Sequence, residues 1–373
     1  MNALRMLMAL CAASSLYSQE VIATGLQSPV KIILTPGGNL LVAEAGRTAN
    51  SGVISVVTRT GARRPLIEAL PSGLDVTGSP LGPTGIALRG NTLYVLIGIG
   101  DVLRRGQPGQ EVANPAGPSS GLLSSLWSIE LSAPVDTTTG PFQVRLADTT
   151  LLLDGEETTM EDPVGNKAVV RLITDFRDYV PDRQTVLRGS DPYGLALDPD
   201  DPDLGYVADA GMNSLLAVRL STGRVRTVLR VPPVAHTRRI GPPLADSVPT
   251  QVVFFGRQIL VTRFSGFPFP NEHATVEVFD PATKSLTPFF TGLSTPIDVA
   301  HSSVNGRLRM LVLEFSADLL GDLPGRLRLY DSPQSAFLSE SLITPTAMAF
   351  DAASGEIFIT EYGPGRIVRV RAP

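Results

Sequence analysis

The chain has 373 residues, with 31 Lys and Arg against 36 Asp and Glu and a formal charge of −5 at pH 7. The basic residues are scattered and 28 of the 31 are Arg, so there is no basic footprint for nucleic acid. With 35 Gly and 31 Pro but only 14 Phe, 7 Tyr and 1 Trp, the composition suits many short strands joined by turns, and no long helix is evident.

Met1 to Ser18 carry one early charge, Arg5, then an apolar run from Met6 to Ala13, then small residues with Tyr17 among them. This is the pattern of a secretory signal peptide cleaved between Ser14 and Ser18. The run is too short to span a bilayer, and no later stretch is long enough to do so. The remaining chain, about 355 residues (373 less 18), is therefore expected to be secreted or periplasmic with no membrane span. Cys11 is the only cysteine, so the mature protein is expected to fold without disulfides.

A strand-like segment, Glu20-Val-Ile-Ala-Thr-Gly-Leu26, comes next, and six Pro-led apolar strands follow. They are Pro29-Val-Lys-Ile-Ile-Leu34, Pro83-Thr-Gly-Ile-Ala-Leu88, Pro192-Tyr-Gly-Leu-Ala-Leu197, Pro249-Thr-Gln-Val-Val-Phe254, Pro296-Ile-Asp-Val-Ala300 and Pro345-Thr-Ala-Met-Ala-Phe350. Proline suits the first position of a strand, where its missing N–H costs least. Most are followed by a turn and a second strand ending near a polar residue, as in Leu41-Val-Ala-Glu-Ala-Gly46 and Phe358-Ile-Thr-Glu-Tyr-Gly363; third strands then follow. The anchor prolines lie 54, 109, 57, 47 and 49 residues apart, a repeat spacing proper to propeller blades. The long interval contains no further Pro-led unit, which favours six blades over seven. Its excess, about 132–166, is Thr-rich and then acidic (Asp154, Glu156, Glu157, Glu161, Asp162), and it reads as an inserted hairpin or surface loop. The last thirty residues hold only three strands, so their open edge needs a cover, and the segment at Glu20 supplies it. The expected fold is all-β: residues 19–373 form one six-bladed β-propeller, closed by an N-terminal strand added to the last blade.

Candidate chemistry sits at two repeated places. Glu44, Asp209, Glu314 and Glu361 end second strands in four blades, where they either converge to hold Ca²⁺ or accept hydrogen bonds from turn amides. Arg263 replaces the acid in the fourth blade. The second residue after each proline is Lys31, Gly85, Gly194, Gln251, Asp298 or Ala347; the polar ones either pair or face the channel. The loop Arg263-Phe-Ser-Gly-Phe-Pro-Phe-Pro-Asn271 is expected to present Phe267 and Phe269 outward in extended conformations, with Arg263 as a fork for an anionic or aromatic ligand. His236, His273 and His301 lack metal-ligand spacing, and no Gly-x-Ser-x-Gly elbow or phosphate loop appears.

Val207-Ala-Asp-Ala-Gly211 with Asn213 looks like an NHL-type repeat. Leu93-Tyr-Val-Leu-Ile-Gly98, Asp191-Pro-Tyr-Gly-Leu195, Val248-Pro-Thr250 and Gly266-Phe-Pro-Phe-Pro270 resemble the ScyD/ScyE family of secreted propellers, associated in cyanobacteria with formation of the pigment scytonemin. The resemblance runs from about Val21 to Val370, apart from the acidic insertion. It implies an exported six-bladed propeller, with no catalytic residues to carry over. Three functions follow as expectations: a monomeric binding or scaffold protein holding a small molecule or protein at the channel mouth; a Ca²⁺-dependent lactonase- or esterase-like hydrolase; and a quinone-dependent sugar dehydrogenase relative. The third lacks its expected second-blade histidine, since Leu96, Ile97 and Ile99 surround Gly98 instead.

Overall fold

The computed structural model describes residues 19–107, 111–178, 189–304, 307–331 and 334–372; the expected signal peptide and Cys11 lie outside the described residues. Six four-stranded antiparallel blades follow one another round a central axis, the strands of the first five running outward in chain order and the sixth completed by a strand from the start of the chain. From the axis outward, blade 1 comprises Pro29–Leu34, Leu40–Glu44, Gly52–Val57 and Arg63–Leu70. Blade 2 comprises Pro83–Arg89, Thr92–Ile97, Ser125–Leu131 and Lys167–Asp175. Blade 3 has Pro192–Leu197, Leu204–Asp209, Ser214–Arg219 and Val225–Arg230, and blade 4 has Ser247–Phe255, Gln258–Ser265, Ala274–Asp280 and Ser285–Leu293. Pro296–Val304, Arg307–Glu314, Gly325–Asp331 and Gln334–Leu342 form blade 5. Blade 6 takes Pro345–Asp351, Glu356–Glu361 and Arg366–Arg371 from the end of the chain and Glu20–Thr24 from its start. The protein is a six-bladed β-propeller.

Each inner strand packs on two neighbouring blades, which is why it reads as an apolar run rather than an alternation. Ile32, Leu40 and Val42 of blade 1 are buried with Ala349, Phe358 and Ile367 of blade 6, and Leu96 and Leu126 of blade 2 with Leu216 and Val218 of blade 3. Burying each large aliphatic side chain contributes roughly 1.5–3 kcal/mol. Closure follows the expected route. Glu20 pairs opposite Arg369 and Thr24 opposite Arg366, while the Leu26 N–H donates to the Gly365 carbonyl at 3.0 Å, so the edge of the terminal unit is covered.

A feature of the innermost strands was not foreseen. In every blade the register slips between the anchor proline and the second residue after it, as between Pro29 and Lys31 or Pro296 and Asp298. The intervening residue forms a β-bulge, which re-aims its side chain. In blades 2, 4 and 6 that residue is Thr, and its hydroxyl donates to the anchor-proline carbonyl of the next blade: Thr84 to Pro192 at 2.6 Å, Thr250 to Pro296 at 3.3 Å, Thr346 to Pro29 at 2.9 Å.

The stretch 132–166 corrects the expectation of a plain hairpin or loop. It contains an α-helix, Leu146–Leu153, and a strand, Thr158–Glu161, that adds to Lys167–Asp175 as a fifth strand of blade 2. Phe142–Gln143 pairs in parallel with Arg63–Leu70 of blade 1. Val135, Phe142, Leu152 and Met160 are buried with Leu66, Ile67 and Ile129, so the segment clasps two blades. Its polar letters pointed to solvent, yet they are used up by turns: Asp162 accepts N–H bonds from Val164, Asn166 and Gly140. Asp136 reaches the hairpin of blade 1, accepting from Thr35 Oγ1 at 2.5 Å, the Gly37 N–H at 2.8 Å and Asn39 Nδ2 at 2.8 Å. Burial opposes its charge, but these hydrogen bonds outweigh burial and hold the carboxyl below its usual range.

Candidate functional site at the channel mouth

The bulges set which side chains reach the axis. Lys31, Gln251 and Asp298, from blades 1, 4 and 5, meet there and are only 7%, 6% and 1% exposed. The Asp298 carboxylate accepts from Lys31 Nζ at 3.2 Å and from Gln251 Nε2 at 2.8 Å, and also from the backbone N–H groups of Val299 at 2.8 Å and Met348 at 3.0 Å. Small residues in the other blades make the room: a Cβ on Gly194 would stand 3.0 Å from Gln251 Oε1 and 2.7 Å from the Thr250 carbonyl. A buried ion pair offsets its desolvation only when the remaining lone pairs are filled, as they are here. The three residues therefore form a floor across the axis rather than the lining of an open pore.

The strand-end acids do not come together. Glu44 holds Arg63 of its own blade at 2.7 Å and accepts the Gln27 N–H at 2.6 Å. Glu314 pairs with Arg326 at 2.8 Å and accepts the Ser294 N–H at 2.7 Å, and Glu361 pairs with Arg366 and accepts the Ile343 N–H at 2.6 Å. Asp209 accepts from Ser190 Oγ and from the N–H groups of Asp191 and Met212. Each acid thus fastens the backbone leading into its own blade's first strand. Among the described residues no group of three or more His, Cys, Asp or Glu is placed to hold a metal, and these four do not fit a Ca²⁺.

Arg263 fills the same place with the charges reversed. It pairs with Glu277 at 2.8 Å and donates to Ser247 Oγ at 2.7 Å and to the Pro232 carbonyl at 2.6 Å; its side chain is 12% exposed. The expectation of a free fork for a ligand is corrected: its donors are committed within the protein. The loop beyond it is also corrected in part. Phe269 has φ of 52°, left-handed rather than extended, because its N–H closes a tight turn onto the Gly266 carbonyl at 2.7 Å. Phe267 does stand outward, 52% exposed. Their rings are 6.0 Å apart, Phe269 lies 6.4 Å from Phe264, and Phe264 lies 6.4 Å from Phe315, each pair edge-to-face.

That chain of rings leads to residues that sequence reasoning passed over. Tyr193, at the blade 3 bulge, packs on the same apolar cluster as Phe264 and Phe315, and its phenol is raised by burial and by Asp191, Tyr362 and Asp298. Tyr362 leaves the second strand of blade 6 and donates to the Pro80 carbonyl at 2.8 Å; burial pushes its phenol up to about 12. Asp191 precedes the anchor proline of blade 3 and accepts the Ile99 N–H at 3.0 Å. Burial, with Asp209 and Asp75 nearby, pushes its carboxyl up to about 7. The available signal was positional: a residue just before an anchor proline, or at its bulge, stands at the mouth. The mouth thus brings together aromatic rings, two carboxylates raised by burial, Asp191 and Asp209, and a polar floor. The histidines take no part: His236, His273 and His301 each bond a nearby backbone carbonyl. A separate cavity of about 430 Å³ opens between blades 2 and 3 on the opposite face, where Arg171 lies beside Glu157 and Asp203.

No protein-family profile matches the chain, and no curated protein matches it. Among solved structures it is similar to a virginiamycin B lyase from Staphylococcus aureus, at 12% identity over 96% of this chain and 99% of that one, with a TM-score of 0.47. It is also similar to an oxidoreductase described as a glucose dehydrogenase from Thermus thermophilus, at 14% identity over 95% and 99% of the two chains, with a TM-score of 0.49. Kuenenia stuttgartiensis hydrazine synthase matches at 13% identity over 94% of this chain and 78% of that one, with a TM-score of 0.46. Likeness at this level concerns the fold and not the chemistry. No helix among the described residues is long and apolar enough to cross a membrane.

Proposed function

We propose that this is an exported ligand-binding propeller of the ScyD/ScyE kind, secreted or periplasmic and acting as a monomer, which seats a small aromatic molecule in the cup at its channel mouth. The observation that carries this reading is the run of Tyr193, Phe264 and Phe315 on one apolar cluster above the floor of Lys31, Gln251 and Asp298. Rings held by packing offer a flat ligand contact area at little entropic cost. The family resemblance extends the reading to maturation of scytonemin-like aromatic metabolites outside the cytoplasm. The hydrolase alternative relied on Glu44, Asp209, Glu314 and Glu361, which ion pairs and backbone amides occupy separately.

The test is equilibrium dialysis of the full mature chain against 2-naphthol and indole. Tyr193→Ala is expected to weaken binding about tenfold, the effect of losing about 1.4 kcal/mol of contact. Phe267→Ala, at the exposed rim, should weaken it only two- to threefold, about 0.4–0.7 kcal/mol, with melting unchanged. Unaltered affinity in both folded variants would place the ligand elsewhere.

A further inference from the structure

Resting on that ligand-binding reading, we propose that the molecule held in the cup carries a cationic nitrogen, a protonated amine on an aromatic body, with the nitrogen at Asp191 and the body against the rings of Tyr193, Phe264 and Phe315. The supply of hydrogen bonds at the mouth leads there. Asp209 is filled by Ser190, Asp191 and Met212, and Asp75 Oδ1 by the N–H groups of Thr77 and Ser79 and the Thr77 hydroxyl. Asp191 differs: Oδ1 takes the Ile99 N–H, and Oδ2 takes no hydrogen bond among the described residues.

Among the described residues, the charged and titratable groups that face Asp191 are Asp209 from its own blade, Asp75 from the hairpin before blade 2, and the Tyr193 phenol. None is a cation, and the Lys31 ammonium on the axis is committed to Asp298. An anionic ligand would meet like charge without compensation, and a neutral donor would leave the carboxylate's charge uncompensated. An ammonium satisfies the open oxygen, and aromatic faces attract it as well. Because burial favours the protonated acid, seating an ammonium displaces that proton. An alkylamine stays protonated across this range, so the pH dependence of binding belongs to Asp191.

The experiment compares three isosteric probes by calorimetry on the full mature chain: 2-naphthylmethylamine, 2-naphthylmethanol and 2-naphthoate. The amine is expected to bind about tenfold more tightly than the alcohol at pH 8, with the carboxylate weakest. Its affinity should rise about tenfold from pH 6 to pH 8 as an acid titrating at about 7 ionises, while that of the alcohol stays flat. Asp191→Asn keeps an acceptor for the Ile99 N–H and should erase both the preference and the pH dependence while sparing alcohol binding. Equal affinity for amine and alcohol, or a preference that survives Asp191→Asn, overturns the inference and leaves the cup reading standing. If none of the three binds the folded protein, the cup reading falls, and this inference falls with it. The wild-type probe series decides the matter even if the variant fails to fold.

Discussion

Lys31, Gln251 and Asp298 leave innermost strands of three blades and meet on the axis, whereas Glu44, Glu314 and Glu361, one strand further out, each bond only within their own blade or the segment leading into it. Both sets are polar, buried and placed by an anchor proline, the first set two residues after it in the chain and the second set paired opposite it in the sheet. Their difference is radius. Side chains at the inner bulge converge because six strands crowd one axis, while the end of the second strand stands about 4.8 Å further out, where a neighbouring strand's Arg is nearer than another blade's acid. Recurrence alone therefore does not make a site; recurrence at the smallest radius does.

Convergence depends first on the ring being closed. Deleting Gln19–Leu26 removes the strand paired with Arg366–Arg371 and the fully buried Leu26, so the cooperative thermal transition should be lost. A truncated protein that melts like the full chain would show that closure does not hold the axis together. Next in size, Asp298→Ala leaves Lys31 buried without a partner, together with Gln251 and two amides, and should cost about 3–5 kcal/mol in urea unfolding. Lys31→Met combined with Asp298→Leu should recover much of that loss, since an apolar pair leaves no buried charge.

Arg366→Ala sharpens the contrast from the other side. Glu361 keeps the Ile343 N–H and loses only its guanidinium, so the expected cost is smaller, about 1–3 kcal/mol. A loss equal to that of Asp298→Ala would mean that radius does not separate the two sets. The last test concerns Asp191, whose folded-state carboxyl is raised to about 7 from an ordinary 3.8. Between those values the native state holds more protons than the unfolded chain, so this residue's contribution falls as pH rises through the window and is level above it. Melting-temperature differences between Asp191→Asn and wild type should therefore shift in favour of the variant from pH 4 to pH 7; a constant difference would contradict the raised carboxyl.

The blade plan was legible because it rests on local chemistry. A proline that opens an apolar run and Gly- and Asp-rich turns that end it fix strand after strand, and the missing fourth strand of the last blade located its own cover. The convergence of Lys31 with Asp298 was readable only as an open choice, since pairing across 267 residues is set by the bulge and the ring and not by neighbouring letters. Arg263 looked available because its partner, Glu277, sits on the next strand with no sequence mark joining them. The insertion misled for the same reason: Asp162 read as part of an acidic surface loop, but its lone pairs are filled by turn amides and the Asn166 side chain while Phe142 and Leu152 turn inward. Asp191 was read only as the start of the Asp191-Pro-Tyr-Gly-Leu195 resemblance and not as a site residue, because its chemistry comes from burial at the mouth.

The threonine bonds between blades give the ring two kinds of joint. Blades 2 and 3, 4 and 5, and 6 and 1 are stapled in pairs by a hydroxyl. The joints from 1 to 2 and from 5 to 6 instead bring a glycine against the next anchor proline, where an added Cβ would stand 2.5 Å from Pro83 or 2.4 Å from Pro345. The propeller is thus three couples meeting at three seams without such a staple among the described residues; the insertion clasps the seam from 1 to 2 and the Asp298–Met348 bond crosses that from 5 to 6, so thermal breathing should concentrate between blades 3 and 4. That seam runs beneath the cup, with Asp191 and Tyr193 on one side and Phe264 on the other. A guest seated there is a brace across that seam: occupancy would show as slowed amide exchange along the inner strands of blades 3 and 4, a stiffening of the ring rather than a change in its shape.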